Sequence, residues 1–419
     1  MAVETMNQVK EKDHVSIGRK LILSLQHILA MFGATVLVPM LTGLNPAVAL
    51  FSAGAGTLLF HLVTKGMVPV FLGSSFAFIA VIVDVSNRFG GLQYAQGGIL
   101  VAGVLYVIMA ALVKVFGLDR IKSFFPPVVT GPMIIVIGLN LSPVAIDMAS
   151  ANWTLAIIVL ATVLMVSLFG KGFFKLLPIL IAVTVGYVAA IALGVINLTE
   201  LASSLRETSM FALPAVTPPK FHLGAILTIA PIVLVVFMEH IGDITTNSAV
   251  VGKDFLKNPG LHRTLLGDGI ATMFAGMVGG PANTTYGENT GVLAVTKVYD
   301  PSIIQLAAFF TLCLSFVGYF SVILQSIPVA VMGGICIVLF GMIASVGLRT
   351  IVDAKIDFAE NRNLLIAALI FVIGIGTAMY TDADGNTIGI QLGEVVQLSG
   401  LSLAAIVGIV ANKVLPQTK

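Results

Sequence analysis

The sequence is poor in charge and in cysteine. Only 10% of its 419 residues are Asp, Glu, Lys or Arg, whereas 58% are hydrophobic and the mean hydropathy is +1.04. This composition excludes a water-soluble globule. The two cysteines, Cys313 and Cys336, lie in apolar segments with no disulfide or metal pattern around them, so we expect them to pack in the interior. We expect a polytopic integral membrane protein without a metal or cofactor.

The sequence also lacks the residue sets of a membrane-embedded enzyme. It contains neither a Ser/His/Asp constellation nor an H-x-x-x-H pattern. Catalysis is therefore not expected. The substrate is expected to be a small molecule, and no nucleic-acid partner is expected.

Apolar runs follow one another along the chain from about Leu21 to Ala411. A membrane helix needs about 20 apolar residues, and a broken segment can be shorter. On this basis we predict fourteen spans in the lipid bilayer, preceded by a polar tail at residues 1–20. The predicted spans are 21–40, 45–64, 67–83, 97–117, 125–146, 153–170, 175–196, 222–244, 265–281, 284–298, 302–325, 327–346, 362–380 and 393–411.

The basic residues are distributed unevenly between the two faces that these spans define. Of the 22 Lys and Arg, only Arg88, Arg206 and Lys220 fall on the face opposite the N-terminal tail. Loops rich in Lys and Arg stay in the cytoplasm. We therefore expect both termini to be cytoplasmic and the protein to lie in the cell (inner) membrane.

The two halves of the chain resemble each other. GMVPVFLGSSFAF from Gly66 aligns without gaps to GMVGGPANTTYGE from Gly276, and PPVVTGPMIIVIG from Pro126 resembles PVAVMGGICIVLFG from Pro328. Seven spans per half is an odd number, so the second half must enter the membrane from the opposite side. This predicts an all-α membrane protein with a seven-plus-seven inverted repeat. The alternative is that small-residue motifs recur wherever helices pack closely.

The interrupted segment of each half is expected to contain a short strand and then a half-length helix. The alignment places Ser75 against Thr285 and Phe76 against Tyr286. The first turn of a helix has unpaired N–H groups and a partial positive charge. Amides at about Phe76 in one half, and at Tyr286 or Gly287 in the other, could therefore donate to carbonyl oxygens of a ligand.

Ionisable residues interrupt the apolar spans at two places. Glu288 follows TTYG in the second broken segment, and Glu239 and Asp243 are four residues apart, so they share one face of a helix. His240 is rotated away from that face and could either bond within the helix bundle or contact substrate or proton. Gln26 and His27 could support the site or form a polar bridge between helices.

The site chemistry favours a flat, neutral ligand. Three acids without a basic residue argue against an anion, and carboxylates accept from N–H groups while helix starts donate to carbonyl oxygens. A nucleobase has edges of this kind. A carboxyl group buried in the membrane can also pick up a proton at ordinary pH, which would couple an uphill substrate to a downhill proton.

These residues resemble a known family. ENTGVLAVTK from Glu288 fits the signature of the nucleobase/ascorbate transporters, and SLQHILAMFGATVLVP, LGSSFAFI and TTYGEN resemble the bacterial uracil permeases in that family. The resemblance runs the whole length of the chain. It implies an importer of uracil with a proton, which works by alternating access of a core domain against a gate domain and forms a homodimer through the gate domain.

The resemblance also implies domain boundaries and residue roles. The core domain would comprise residues 21–117 and 222–325, and the gate domain residues 118–221 and 326–419. The base would be held by Glu239 and Glu288 with the backbone at Phe76 and Gly287, and Ser75 and Tyr286 would lie alongside. The proton would be carried by Asp243, Glu288 or His240, and the supporting residues would be Gln26, His27, Asn289 and Phe340.

Two positions depart from the family pattern. Asp243 stands where some uracil permeases have a histidine and many purine transporters have an acid, and Phe340 stands where a tyrosine occurs. A proton- or sodium-coupled purine or xanthine permease of the same family is therefore an alternative. A less favoured alternative, of similar architecture, is an anion exchanger. TTYGEN favours uracil.

Overall fold

The structure is a computed structural model that describes residues 16–117, 120, 123–380, 389–392, 396–398 and 400–416. Most of the predicted N-terminal tail lies outside these residues, as do residues 118–119, 121–122, 381–388, 393–395, 399 and 417–419 of the predicted gate segments.

Eighteen α-helices form the described part of the chain. The first half contains α1 (Ile17–Thr42), α2 (Pro46–Val63), α3 (Ile79–Phe89), α4 (Leu92–Phe116), α5 (Pro127–Asn140), α6 (Ser142–Ser150), α7 (Trp153–Phe169) and α8 (Pro178–Ala192), and α9 (Leu198–Glu207) follows. The second half contains α10 (Leu223–Ile229), α11 (Ile232–Val251), α12 (Leu261–Val278), α13 (Gly287–Thr296), α14 (Pro301–Leu314), α15 (Gly318–Gln325), α16 (Val329–Asp353), α17 (Asn361–Met379) and α18 (Gly400–Val414).

Each predicted span overlaps at least one of these helices. Seven helical segments are long and apolar enough to cross a membrane, and four shorter apolar helices accompany them. The boundaries follow local signals: Asn45 Oδ1 accepts from the Ala47 amide at 2.8 Å to begin α2, and Gly43, with φ of 78°, ends α1. A side-chain acceptor satisfies amides that have no partner inside the helix, and glycine adopts the left-handed conformation without a Cβ clash.

The last predicted span is wrong at its beginning. In place of a helix from residue 393, strands β3 (Ile390–Leu392) and β4 (Val396–Leu398) pair antiparallel, and α18 begins only at Gly400. Hydrogen bonds between the two strands satisfy their backbone groups, so this stretch needs no helical turn.

The two broken segments are confirmed, and they meet. Strand β1 (Leu72–Ser74) pairs antiparallel with strand β2 (Asn283–Thr285), with Gly73 opposite Thr284 and Ser74 opposite Asn283. The sequence offset of 210 makes Gly73 equivalent to Asn283 and Ser74 equivalent to Thr284. Gly73 therefore pairs with the equivalent of Ser74, and Ser74 pairs with the equivalent of Gly73. A two-fold axis that relates inverted repeats requires this reciprocal pairing where the two strands cross. A short 3₁₀ turn (Phe76–Phe78) leads from β1 into α3, whereas β2 leads directly toward α13.

The helices pack in two groups. One group includes α12 against α4 and α2, and α14 against α2 and α1; the other includes α16 against α5, α6 and α7, and α17 against α18. Contacts between the groups include α1 with α8 and α11 with α5 and α18. The functional division into a core and a gate domain remains a prediction.

Close packing of α12 on α4 depends on Gly276. A Cβ atom at this position would lie 2.6 Å from the Leu100 amide nitrogen and 3.0 Å from the Gln96 carbonyl oxygen, so the two helices would have to separate. We expect Gly276→Val to destabilise the folded protein by about 1–3 kcal/mol or more. Thermal unfolding of the purified protein measures this.

Gly18→Val is the matched control, because nothing lies within 4 Å of a Cβ built at Gly18. An unfolding temperature of Gly276→Val equal to that of Gly18→Val would contradict the packing argument.

Candidate substrate site

The paired strands bring two helix starts to the same place. The Ser75 amide donates to the Ala282 carbonyl at 2.8 Å, and the Tyr286 amide donates to the Phe71 carbonyl at 3.0 Å. These bonds fix the points where each chain leaves its strand and begins to coil. The expectation that Tyr286 could offer its amide to a ligand is wrong, because that amide is already bonded within the strand crossing.

Phe76 and Gly287 are the remaining backbone positions predicted to contact a ligand, one in each half. Phe76 is the first residue of its 3₁₀ turn, and Gly287 is the first residue of α13. Amides at such positions have no partner inside their own helix. Phe76 is half-buried and Gly287 is exposed, so both are accessible to a ligand.

Helix α11 passes beside both helix starts. It packs against the Phe76–Phe78 turn, against β2 and against α13. Thr285 at the end of β2 donates to Asp243 Oδ2 on α11 at 2.7 Å. A Cβ atom at Gly287 would lie 3.9 Å from Asp243 Oδ1 and would contact nothing closer. An open space is therefore bounded by α11 on one side and by the start of α13 on the other.

Three carboxylates lie near one another on α11 and α13. Glu239, Asp243 and Glu288 are close enough for each to interact electrostatically with another member of the set. All three keep part of their surface accessible, and none forms an ion pair with a basic side chain among the described residues. The structure thus places acids from α11 and from α13 together, as the sequence predicts.

Tyr286 and Ser75 lie beside the strands. The Tyr286 hydroxyl donates to the Ser74 carbonyl at 2.9 Å, and Thr35 on α1 lies 3.4 Å from the same hydroxyl. Tyr286 therefore holds the crossing together. The Ser75 hydroxyl is buried and has no hydrogen-bond partner in the part of the chain that the structure describes.

His27 and Asn289 connect α1 to α13. The Asn289 amide nitrogen donates to the His27 carbonyl at 3.0 Å and lies 3.1 Å from His27 Nδ1. This bridge ties α13, the helix that carries Glu288, to α1. A supporting role of both residues at the ligand stays a prediction. The neighbouring Gln26 has a side-chain oxygen that is shielded from solvent without a partner among the described residues.

His240 points into the protein rather than along the face of the acids. It is fully buried, its Nε2 lies 3.0 Å from Thr264 Oγ1, and its Nδ1 lies 3.3 Å from Asp268 Oδ2. The Thr264 hydroxyl already donates to the Leu261 carbonyl, so it accepts from His240 Nε2–H. A role of His240 in proton coupling stays a prediction.

Asp268 is a buried acid that sequence reasoning missed. It lies on α12, fully enclosed and beside His240, and it is close enough to Glu239 to interact with it. The signal was present, since an ionisable residue inside the predicted span 265–281 is expected to be functional.

Phe340 is almost fully buried in α16, a helix that packs on α5, α6 and α7. Its side chain belongs to the main hydrophobic core. A supporting role at the ligand stays a prediction.

The sequence matches a known family over most of its length. A family model described as Permease family matches residues 18–383. Curated relatives include a uracil permease of Bacillus caldolyticus, which is 42% identical over 97% of this chain and 94% of its own length. The uracil permease of Bacillus subtilis is 43% identical over 94% of this chain and 92% of its own length, and that of Escherichia coli K12 is 40% identical over 92% and 89%.

Solved structures with similar folds are more distant in sequence. The transmembrane domain of a cyanobacterium bicarbonate transporter, BicA, superposes with a TM-score of 0.62 over 94% of this chain and 96% of that chain, at 14% identity. The murine Solute Carrier 26 family member A9 anion transporter gives a TM-score of 0.69 over 97% of this chain and 69% of that chain, at 10% identity. These likenesses support the seven-plus-seven inverted-repeat fold.

Proposed function

This chain belongs to the nucleobase/ascorbate transporter family of permeases. On that premise we propose that it imports uracil together with a proton. A permease is a transporter rather than an enzyme. The multi-pass membrane fold supports the same reading. Relatives named uracil permeases share about two fifths of their residues with this chain over nearly their full length.

The observation that carries the proposal is the convergence of acids and helix starts. Glu239 on α11 and Glu288 on α13 are close enough to interact electrostatically, and Phe76 and Gly287 begin the two half-helices. Uracil is planar and alternates N–H donors with carbonyl acceptors. We propose that the carboxylates accept from its N–H groups and that the amides donate to its carbonyl oxygens.

The neighbouring residues would hold this geometry. The Tyr286 hydroxyl ties the second broken segment to Ser74 of the first, and Asn289 ties α13 to His27. The buried Ser75 hydroxyl lies next to the Phe76 amide and could reach the ligand. Gln26 and Phe340 would complete the surroundings.

Alternating access would move the site across the membrane. We propose that the core domain (21–117 and 222–325) carries uracil and one proton past the gate domain (118–221 and 326–419). The strand crossing supports this division, because β1 and β2 both belong to the core stretches and would move as one unit. The gate domain would also form the homodimer, and the protein would lie in the inner membrane with cytoplasmic termini.

Asp243 is the proposed carrier of the coupled proton. An asparagine can still offer an N–H group to a carbonyl oxygen but cannot exchange a proton, so Asp243→Asn should weaken coupled uptake more than exchange. We expect concentrative uracil uptake to fall roughly tenfold while counterflow of preloaded uracil stays within about twofold of wild type. An equal fall of both rates would show that coupling is not specific to Asp243.

The function is tested by uptake of labelled uracil in cells that lack their own carriers, with and without a protonophore. We expect saturable uptake that the protonophore abolishes and that unlabelled uracil competes more strongly than thymine, xanthine or hypoxanthine. Stronger competition by xanthine than by uracil would favour the purine permease. The acid at position 243 is the feature of this sequence that supports that alternative.

An anion exchanger is the weaker alternative, despite the anion-transporting neighbours in fold. Those neighbours are at most 14% identical in the structures named above, and the three acids of this site would repel an anion. Uptake that ignores uracil and responds to sulfate or bicarbonate would favour this alternative.

A further inference from the structure

The hydrogen bond between Thr285 and Asp243 makes the two carboxylate oxygens of Asp243 inequivalent, because it reaches only one of them. Thr285 is buried at the end of β2, and its hydroxyl donates to Oδ2 at 2.7 Å. In the described part of the chain, this is the one hydrogen bond that reaches the carboxylate. The threonine hydroxyl has a single hydrogen and no other acceptor among the described residues, so it donates to Oδ2 whenever that oxygen is unprotonated.

The other oxygen, Oδ1, is directed toward the open space at the start of α13. It is the nearest atom to a Cβ built at Gly287, at 3.9 Å, and no other atom lies within 4 Å of that Cβ. Gly287 therefore leaves room beside Oδ1. A ligand over Gly287 would therefore meet Oδ1 rather than Oδ2.

The groups that act on Asp243 are acidic. Glu239 on the same helix, Glu288 on α13 and Asp268 on α12 are close enough to interact with it. A cluster of acids without a basic partner is more stable when it holds a proton. That proton can reside on either carboxylate oxygen of Asp243.

In a neutral carboxyl group the carbonyl oxygen accepts hydrogen bonds better than the hydroxyl oxygen does. Because Oδ2 already accepts from Thr285, the proton belongs on Oδ1, where the O–H group can donate to a carbonyl oxygen of the ligand. We propose that Thr285 is a positioning residue for substrate binding: by occupying Oδ2 of Asp243, it reserves Oδ1 for the proton and directs that O–H group at the ligand over Gly287.

This inference rests on the proposed function, because it assigns the proton and one substrate contact within the same site. It also gives a physical reason why uracil transport would be strictly coupled to the proton. The protonated form of Asp243 donates to the ligand, whereas the ionised form presents a carboxylate to the same carbonyl oxygen and repels it. Uracil would then bind well only after the proton.

Thr285→Val tests the proposal, because valine keeps the shape of threonine and removes the hydroxyl. We expect the KM for uracil uptake to rise roughly tenfold, the upper end for the net loss of one hydrogen bond between neutral groups, with Vmax little changed. Thr285→Ser restores the hydroxyl and should return KM to within about twofold of wild type. Thr284→Val is the matched control, since Thr284 is buried on the same strand and its hydroxyl has no partner among the described residues.

A double-mutant cycle identifies the residue through which Thr285 acts. In an Asp243→Ala background, Thr285→Val should cause no further rise in KM, because the carboxylate that it positions is gone. Thermal unfolding confirms that each variant is folded, and Thr285→Ala replaces Thr285→Val if the latter does not reach the membrane.

Three results would overturn the proposal: a wild-type KM in Thr285→Val, an equal defect in Thr285→Ser, or full additivity in the cycle. Absence of uracil uptake by the wild-type protein would overturn the proposed function and this inference together. Uracil uptake by the wild type with any of the three results would overturn the role of Thr285 alone.

Discussion

Glu288→Gln and Glu239→Gln are each expected to reduce uracil uptake about 100-fold, to the background of cells without the carrier. Each carboxylate is proposed to accept from an N–H group of the base. Glutamine replaces one acceptor oxygen with an NH₂ group, so a donor of the side chain faces a donor of the base. Uptake of labelled uracil and equilibrium binding to the purified protein measure the loss.

Glu200→Gln is the matched control for these two variants. Glu200 lies exposed in the first turn of α9, away from the strand crossing, and the substitution makes the same chemical change. We expect wild-type uptake from Glu200→Gln. Wild-type binding by Glu288→Gln or by Glu239→Gln would refute the role assigned to that residue.

Gly287→Val should abolish uptake while leaving the protein folded. Gly287 has φ outside the left-handed region, and a Cβ there meets only Asp243 Oδ1 at 3.9 Å, so a Cβ fits without a clash. The room it fills is the proposed ligand position beside the α13 amide. We expect uracil uptake to fall at least about 100-fold with an unfolding temperature close to wild type, because overlap of a few ångströms with a rigid base cannot be relieved.

Gly376→Val controls for the substitution itself. Gly376 is an exposed glycine of helix α17, and no atom lies within 4 Å of a Cβ built there. Gly287 is similarly open, since its Cβ would have a single neighbour, at 3.9 Å. Its uptake should match wild type. Substantial uptake by Gly287→Val would show that the ligand does not lie over the start of α13.

The broken segments could be predicted from the sequence because their signal is local. A proline or glycine run, hydroxyl and amide side chains, and Glu288 interrupt apolar sequence, and the same interruption recurs 210 residues apart. Non-helical backbone inside a membrane must be buried in protein or line a cavity, so such a pattern has few interpretations. The strands and the half-helices follow from it.

What the sequence could not indicate depends on long-range partners. That the Tyr286 amide is bonded to the Phe71 carbonyl requires the strand register, which joins residues more than two hundred positions apart. The Thr285–Asp243 hydrogen bond and the contact of His240 with Asp268 depend on how α11 is rotated against its neighbours. The β3–β4 pair lies where the apolar residues predicted the beginning of a helix. The prediction failed there because periodicity does not distinguish short apolar strands from buried helix ends.

The most direct test of the whole account is an electron cryo-microscopy structure of the purified protein with saturating uracil. The account predicts a planar density between the side chains of Glu239 and Glu288, with a carbonyl edge facing the Gly287 amide and Asp243 Oδ1. A base bound elsewhere, or the two glutamates turned toward separate compartments with no shared cavity, would contradict it.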